Sequence, residues 1–204
     1  IYSAEIISQK TLEQTSETVE QFSNSLDNYM TLMSNKMEIL ADSPVIQEEL
    51  NAAPGEVNIE SDSFYSRNKQ IRRMMIQSYS SVTMNDMELY GINGASYYFS
   101  VWSQKRKIED EDGLFRKADE ARGKWVVVDR EGDDDTLHLI KLVKDLQTYT
   151  PIGYVRIGLK RDYIDKMAGS MSFGSNGSTI ILNGKKSVIS GRIDDVLMAC
   201  MQKE

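Results

Sequence analysis

The stretch TPIGYVRIGLKRDYIDKM, residues 150–167, changes character halfway with no turn between its halves. Ile152, Tyr154, Val155, Ile157 and Leu159 form a β-prone apolar run. Past that run the residues read as helical. What the strand belongs to, and what the helix leads to, is decided by the sequence on either side.

Upstream, strand patterning begins at Asp86. MELYGI-NG-ASYYFSVW is two β-prone runs joined by Asn93-Gly94, a pair that tolerates positive φ at both turn positions, and it predicts a hairpin. A charged loop follows, then a short helix in GLFRKADEARGK. WVVVDR, the acidic turn EGDDD and TLHLIKLVKDL come next, before the opening stretch. The prediction is a five-stranded antiparallel sheet with one helix inserted after its second strand. Downstream, the Gly/Ser-rich break GSMSFGSNGS leads into STIILNG-KKSVIS, a second strand–Asn-Gly–strand unit. GRIDDVLMACMQKE reads as a short helix. Too few residues remain for a second sheet of the same size, so the second unit is expected to be reduced or truncated.

Residues 1–41 read as one long helix. Phe22, Leu26, Tyr29, Met33, Met37 and Leu40 recur three or four apart, and no Gly or Pro intervenes before Pro44. At 1.5 Å per residue such a helix spans roughly 60 Å. Its stripe suits a coiled-coil seam and equally a face docked on the rest of the chain. Asp42-Ser43-Pro44 ends it and caps a second helix, PVIQEELN. Residues 63–80 predict another, with Phe64, Ile71, Met74 or Met75 and Tyr79 toward a core.

Composition excludes more than it assigns. The 204 residues suffice for one large domain or two small ones. A formal charge of −7 argues against a nucleic-acid surface, and the one basic cluster, Lys105-Arg106-Lys107, runs into Glu109-Asp110-Glu111-Asp112. No apolar run nears the roughly 20 residues of a membrane span, and no signal-peptide pattern is present. The chain starts at Ile1 rather than an initiator Met, so a longer parent carrying any anchors is expected. A single cysteine, Cys200, and a single histidine, His138, leave no internal disulfide, thiolate site or His-pair zinc site. Cys200 reads as a small apolar core residue and His138 as a strand residue. No metal or cofactor is expected.

Catalytic patterns are missing too. No nucleophile motif accompanies His138, and GSMSFGSNGS lacks the Lys-Ser/Thr ending of a phosphate loop. Asp133-Asp134-Asp135 lacks the spacing of a calcium loop. The aromatic residues say more. Tyr98 and Trp102 share one face of a strand, Phe115 lies on the inserted helix, and Trp125 opens the next strand. These rings are candidates to line a cavity between sheet and helix, with Asp129 and Arg130 as orienting polar groups. The alternative is that they fill the core.

The order of elements, with LDNYMTLMSNKMEILADSPVIQEEL, GLFRKADEARGKWVV and PIGYVRIGLKRDYI followed by STIILNGKKSVIS, resembles the double Cache (tandem PAS-like) extracytoplasmic sensor domain. It is most similar to those on membrane sensor histidine kinases of Gram-positive bacteria paired with AraC-type response regulators. The resemblance implies an α+β fold in three parts. Residues 1–53 are stalk and second helix, 54–168 a membrane-distal PAS-like ligand module, and 169–204 a reduced membrane-proximal module. It makes 150–167 the last distal strand and its connector. It also implies an ectodomain on the extracellular face of the membrane, a homodimer through the N-terminal helix, and a small-molecule ligand between sheet and inserted helix, where Tyr98, Trp102, Phe115, Trp125, Asp129 and Arg130 are the candidates read above.

The amino-acid-binding branch carries R-x-W-Y-x-x-A and a later Asp. Aligned on Ala118, this chain has Asp112, Leu114 and Phe115, and Gly158 stands at the later Asp. A free amino acid is therefore expected to be disfavoured as ligand and a carbohydrate favoured. Two other readings stand beside this one: the ectodomain of a chemotaxis receptor, and a ligand-free dimerisation or partner-protein module. An enzyme using His138 or the acid clusters is not expected.

Overall fold

The computed structural model describes residues 2–53, 62–101, 113–128, 135–170, 181–182 and 188–190. The chain divides into two compact units, Thr31–Lys160 and Ile1–Met30 with Arg161–Glu204.

The first unit is α+β. The hairpin β1 (Met84–Gly91) and β2 (Ser96–Phe99) is followed by helix α4 (Leu114–Glu120), then β3 (Trp125–Val128), β4 (Thr136–Lys144) and β5 (Pro151–Lys160). All pairings are antiparallel, in the order β2-β1-β5-β4-β3. The opening stretch thus supplies the central strand, and helix α5 (Arg161–Gly169) follows it directly. Being covered on both faces, β5 is buried from Ile152 to Leu159, which is why its sequence reads as an apolar run rather than an alternation.

Strand alternation gives the sheet two faces. One carries Met87, Leu89, Leu139, Val143, Val155 and Ile157, all buried. Helix α1 (Tyr2–Ala41), α2 (Pro44–Asn51) and α3 (Asp62–Ser78) precede the sheet in the chain. Met33, Met37 and Leu40 of α1, Ile46 and Leu50 of α2, and Ile71 and Met75 of α3 are buried. Lys141 Nζ pairs with Glu38 Oε1 at 2.6 Å, tying α1 to this face of β4. Gln47 of α2 donates to the carbonyls of Ala41 and Lys144 at 2.7 and 2.9 Å and accepts from Leu146 N–H at 3.2 Å. One amide therefore joins the end of α1 to the β4–β5 turn.

Two local expectations need correcting. Ser43 precedes α2, but its hydroxyl lies 3.3 Å from Met74 Sδ and makes no side-chain cap; burial between helices turns it toward α3. In the β1–β2 turn only Gly94 has positive φ (+89°). Asn93 instead donates to the carbonyls of Glu49 and Ala52 at 2.8 and 3.0 Å and accepts from Ala95 N–H at 3.0 Å. The tether to the end of α2 overrides the two-residue turn that Asn-Gly favours in isolation.

Tyr97 donates its hydroxyl to buried Glu49 at 2.7 Å. Burial first, and that bond second, push the Tyr97 pKa above its ordinary value of 10.0. The folded state resists ionisation that the unfolded chain accepts, so this contribution is intact below pH 10 and is lost as pH rises further. Stability above pH 10 is expected to fall more steeply for the wild type than for Tyr97→Phe, as measured by urea unfolding at stepped pH. Parallel slopes would dismiss the coupling.

In the second unit, β6 (Ile181–Leu182) pairs antiparallel with β7 (Val188–Ser190), so the second strand pair forms as expected. Helix α5 contacts β7 and buries Ile164 and Ala168. The rings of Tyr29 and Tyr163 lie 5.1 Å apart. The second Asn-Gly turn, the terminal helix reading and Cys200 lie outside the described residues.

Candidate functional site

The other face of the sheet is the one α4 covers. Leu114 and Ala118 of α4 pack with Val128, Ile140, Leu142 and Tyr154, and Tyr90, Phe115 and Val126 border this cluster. Gly113, with φ +62°, turns the chain into α4 through a conformation that costs glycine little. The rings of Tyr90 and Tyr154 stack at 5.3 Å with an interplanar angle of 23°. Cross-strand register brings them together, since Tyr90 and Tyr154 are paired neighbours on β1 and β5.

One step along the strands the same face becomes ionic. Register aligns Tyr98, Glu88, Arg156 and Ile140 across four strands, and Asp86, Gly158 and His138 in the next row. Arg156 is 1% exposed, Glu88 6%, Asp86 7% and His138 0%. The Arg156 guanidinium donates Nε to Glu88 Oε2, and Nη1 lies 3.2 Å from Asp86 Oδ1 and 2.6 Å from His138 Nδ1. A guanidinium has no acceptor, so His138 Nδ1 accepts and its ring proton sits on Nε2. The Tyr98 hydroxyl donates to Asp86 Oδ2 at 3.3 Å. Burial works against the Arg156 charge, but Glu88 and Asp86 outweigh it and raise its pKa further above the ordinary arginine value. Gly158 makes the arrangement possible. A Cβ there would overlap Asp86 Oδ1 and lie 2.9 Å from Thr136 Cγ2.

Of the residues expected to form the site, Tyr98 and Phe115 lie on this α4 face. Trp125 does not. It pairs with Lys141, one position out of step with Val126 and Ile140, which places it on the opposite face. Trp102, Asp129 and Arg130 lie outside the described residues. Sequence reasoning passed over Asp86, Glu88 and Arg156. Their signal was present: Asp86 and Glu88 are two apart in a strand, and Arg156 interrupts an apolar run, so all three need polar company once buried. His138, read as a strand residue, is one. His138 Nδ1 is occupied by Arg156, which removes that nitrogen as a general base.

No protein-family model and no curated protein matches the chain. Solved structures do. The sensory domain of the Campylobacter jejuni chemoreceptor Tlp3 with isoleucine bound superposes with a TM-score of 0.62 at 9% identity, covering 95% of this chain and 75% of that one. The ligand-binding domain of the Pseudomonas aeruginosa amino-acid chemoreceptor PctC with GABA gives 0.55 at 15% identity, over 86% and 70%. The extracellular domain of the putative histidine kinase vpHK1S-Z8 gives 0.56 at 11% identity, over 82% and 62%. The fold is that of Cache-type sensory domains.

These neighbours overturn one expectation. Structures of this fold hold isoleucine, valine, GABA and arginine, so departures from one amino-acid motif do not disfavour a free amino acid on this architecture, and carbohydrate loses its preference. That motif is one pattern of residues on a fold whose α4 face, in this chain, carries ionic groups of its own at Asp86, Glu88 and Arg156. Among the described residues no helix is long and apolar enough to cross a membrane.

Proposed function

We propose that this chain is an extracellular ligand-sensing domain of a membrane receptor, and that its ligand binds on the α4 face of the five-stranded sheet. The observation that carries the reading is the meeting, on that face, of an apolar helix–sheet cluster, a stacked tyrosine pair and a buried ionic group. A largely apolar surface with a few convergent polar groups is the ordinary make-up of a small-molecule site. The likeness of the fold to sensory domains supports it.

In this reading the domain is of the double Cache type. Residues 1–53 are stalk and second helix, 54–168 the ligand module, and 169–204 a second, reduced one. Tyr98 and Phe115 border the ligand, with Trp102, Asp129 and Arg130 as further members. A sensor histidine kinase paired with an AraC-type regulator is the parent the sequence resemblance favours. The chemoreceptor neighbours favour a chemotaxis receptor as the second reading. Kinase or methyl-accepting coiled-coil motifs in the parent gene beyond residue 204 separate the two.

The test is a thermal-shift screen against free amino acids, amines, organic acids and sugars. A ligand at 100 times its dissociation constant is expected to add about 2.7 kcal/mol of stability. Ile140→Glu, which puts a charge into the α4 cluster, is expected to erase that shift. A shift of wild-type size in this variant would move the ligand elsewhere, and a folded protein with no hit in any class would favour a partner-protein role.

A further inference from the structure

The sheet ends in a strand built unlike its neighbours. β3 is last in the order β2-β1-β5-β4-β3, and among the described residues it pairs with β4 alone. Its four residues, Trp125-Val126-Val127-Val128, carry no charge. Trp125, Val126 and Val127 are each partly exposed, whereas Ile140 and Leu139, the β4 partners of Val126 and Val127, are fully buried. Both faces of β3 are thus uncovered in part, since Val126 lies on the α4 face and Trp125 and Val127 on the other. Edge strands commonly carry a lysine, a proline or a bulge that deters a further strand. β3 has neither residue, and its register with β4 runs unbroken from Trp125 to Val128.

A strand added here must be apolar on both faces and free of charge, and a second copy of β3 meets both conditions. Copies of a chain with net charge −7 repel one another over most of their surface, so an uncharged edge is where they approach at least cost. Symmetry then limits the register. A two-fold axis relating adjacent antiparallel strands runs perpendicular to the sheet, so one residue faces its own copy and each face continues into its like. Centring on Val126 sets Trp125 against the copy's Val127, and does so twice, giving aromatic–β-branched pairs of the favourable kind. Centring on Val127 would leave Trp125 past the end of the copy's strand.

We infer that β3 is a self-association edge, at which two copies pair antiparallel about Val126 and join their five-stranded sheets into one. The contact uses a different surface from the apolar stripe of α1. It also gives Trp125, which faces away from α4, an apolar partner. Four residues a side make a small contact, so the association is expected to be weak and reversible.

The test uses the full chain with Cys200→Ser, into which Trp125→Cys, Val126→Cys or Val127→Cys is placed singly, with oxidised glutathione as oxidant. Directly opposed residues lie about 4.5–5.5 Å apart between Cα atoms, within disulfide reach, and diagonal ones about 7–8 Å apart, at or beyond it. Val126→Cys is therefore expected to form covalent dimer several-fold faster than the other two. Equal rates at all three positions, a maximum at 125 or 127, or no dimer from thiols that react freely with maleimide would each overturn the inference. A second arm needs no oxidant. Val126→Lys and Val126→Glu each set like charges opposite one another and are expected to sediment as monomers at concentrations where the wild type self-associates. Mixed in equal amounts, the two are expected to associate. Melting curves establish that both are folded, and the cysteine series decides the matter if either is not. A folded pair whose mixture stays monomeric, or a wild type that is monomeric at every concentration, refutes the pairing.

Discussion

Arg156→Met is expected to lower the stability of the protein by about 3–5 kcal/mol, because it leaves two buried carboxylates without a cation. Methionine matches much of the volume, so cavity formation contributes little and the loss reports the charge imbalance. Asp86 and Glu88, 7% and 6% exposed, would face each other across the space the guanidinium fills, and His138 would lose its donor. The remedy is as informative as the damage. Asp86→Asn with Glu88→Gln in the Arg156→Met background is expected to recover a large part of the loss, since neutral amides in that setting need no counter-ion. Urea unfolding of the four combinations gives the coupling directly, and groups in one network are not additive. A loss under about 1 kcal/mol for Arg156→Met, the range of exposed ion pairs, would mean that the row is solvated and not a buried cluster.

Much of the architecture was legible in the residues, and the reason differs by element. The long helix, the hairpin at Asn93-Gly94, the inserted helix and the direct passage from the central strand into a helix are set by local periodicity and turn chemistry, which act over a few residues. The site was legible only in part. Tyr98 and Phe115 follow from strand and helix phase, whereas Trp125 opens β3 as expected but faces away from α4, because its pairing with Lys141 on β4 decides the face. One residue of register exchanges the faces of a strand, and WVVV has no polar–apolar alternation to say which face is which. The ionic row is a different failure. Asp86 and Glu88 come from β1, His138 from β4 and Arg156 from β5, and nothing local signals that strand order will align them. The motif comparison failed for a related reason. It asked for an acid at position 158, whereas the structure puts the carboxylate of Asp86 into the space that a glycine at 158 leaves open.

Gly153→Ala is expected to be the most damaging single-methyl change in the sheet. An added Cβ would overlap the Tyr90 carbonyl oxygen and lie 3.1 Å from its carbonyl carbon and 3.2 Å from Gly91 Cα. Those atoms are backbone of the paired strand, so no rotamer change relieves the contact, and β1 and β5 must separate at the point where Gly91 faces Gly153. Overpacking typically costs about 1–3 kcal/mol, and this case belongs at the upper end. Gly91→Ala is the matched control. Its Cβ would meet the ends of two side chains, Leu50 Cδ2 at 2.7 Å and Asn93 Oδ1 at 2.5 Å, whose displacement strains the Asn93 tether but does not force the paired strands apart. It is expected to cost less, and equal losses in urea unfolding would mean that the strands have slack. The two glycines also bear on the site, because the residues beside them are Tyr90 and Tyr154, whose stacked rings sit on the α4 face. Moving the Tyr90 carbonyl moves its ring, so Gly153→Ala is expected to weaken ligand binding even at temperatures where the fold survives. Gly91→Ala, with the strands in register, should leave binding near wild type.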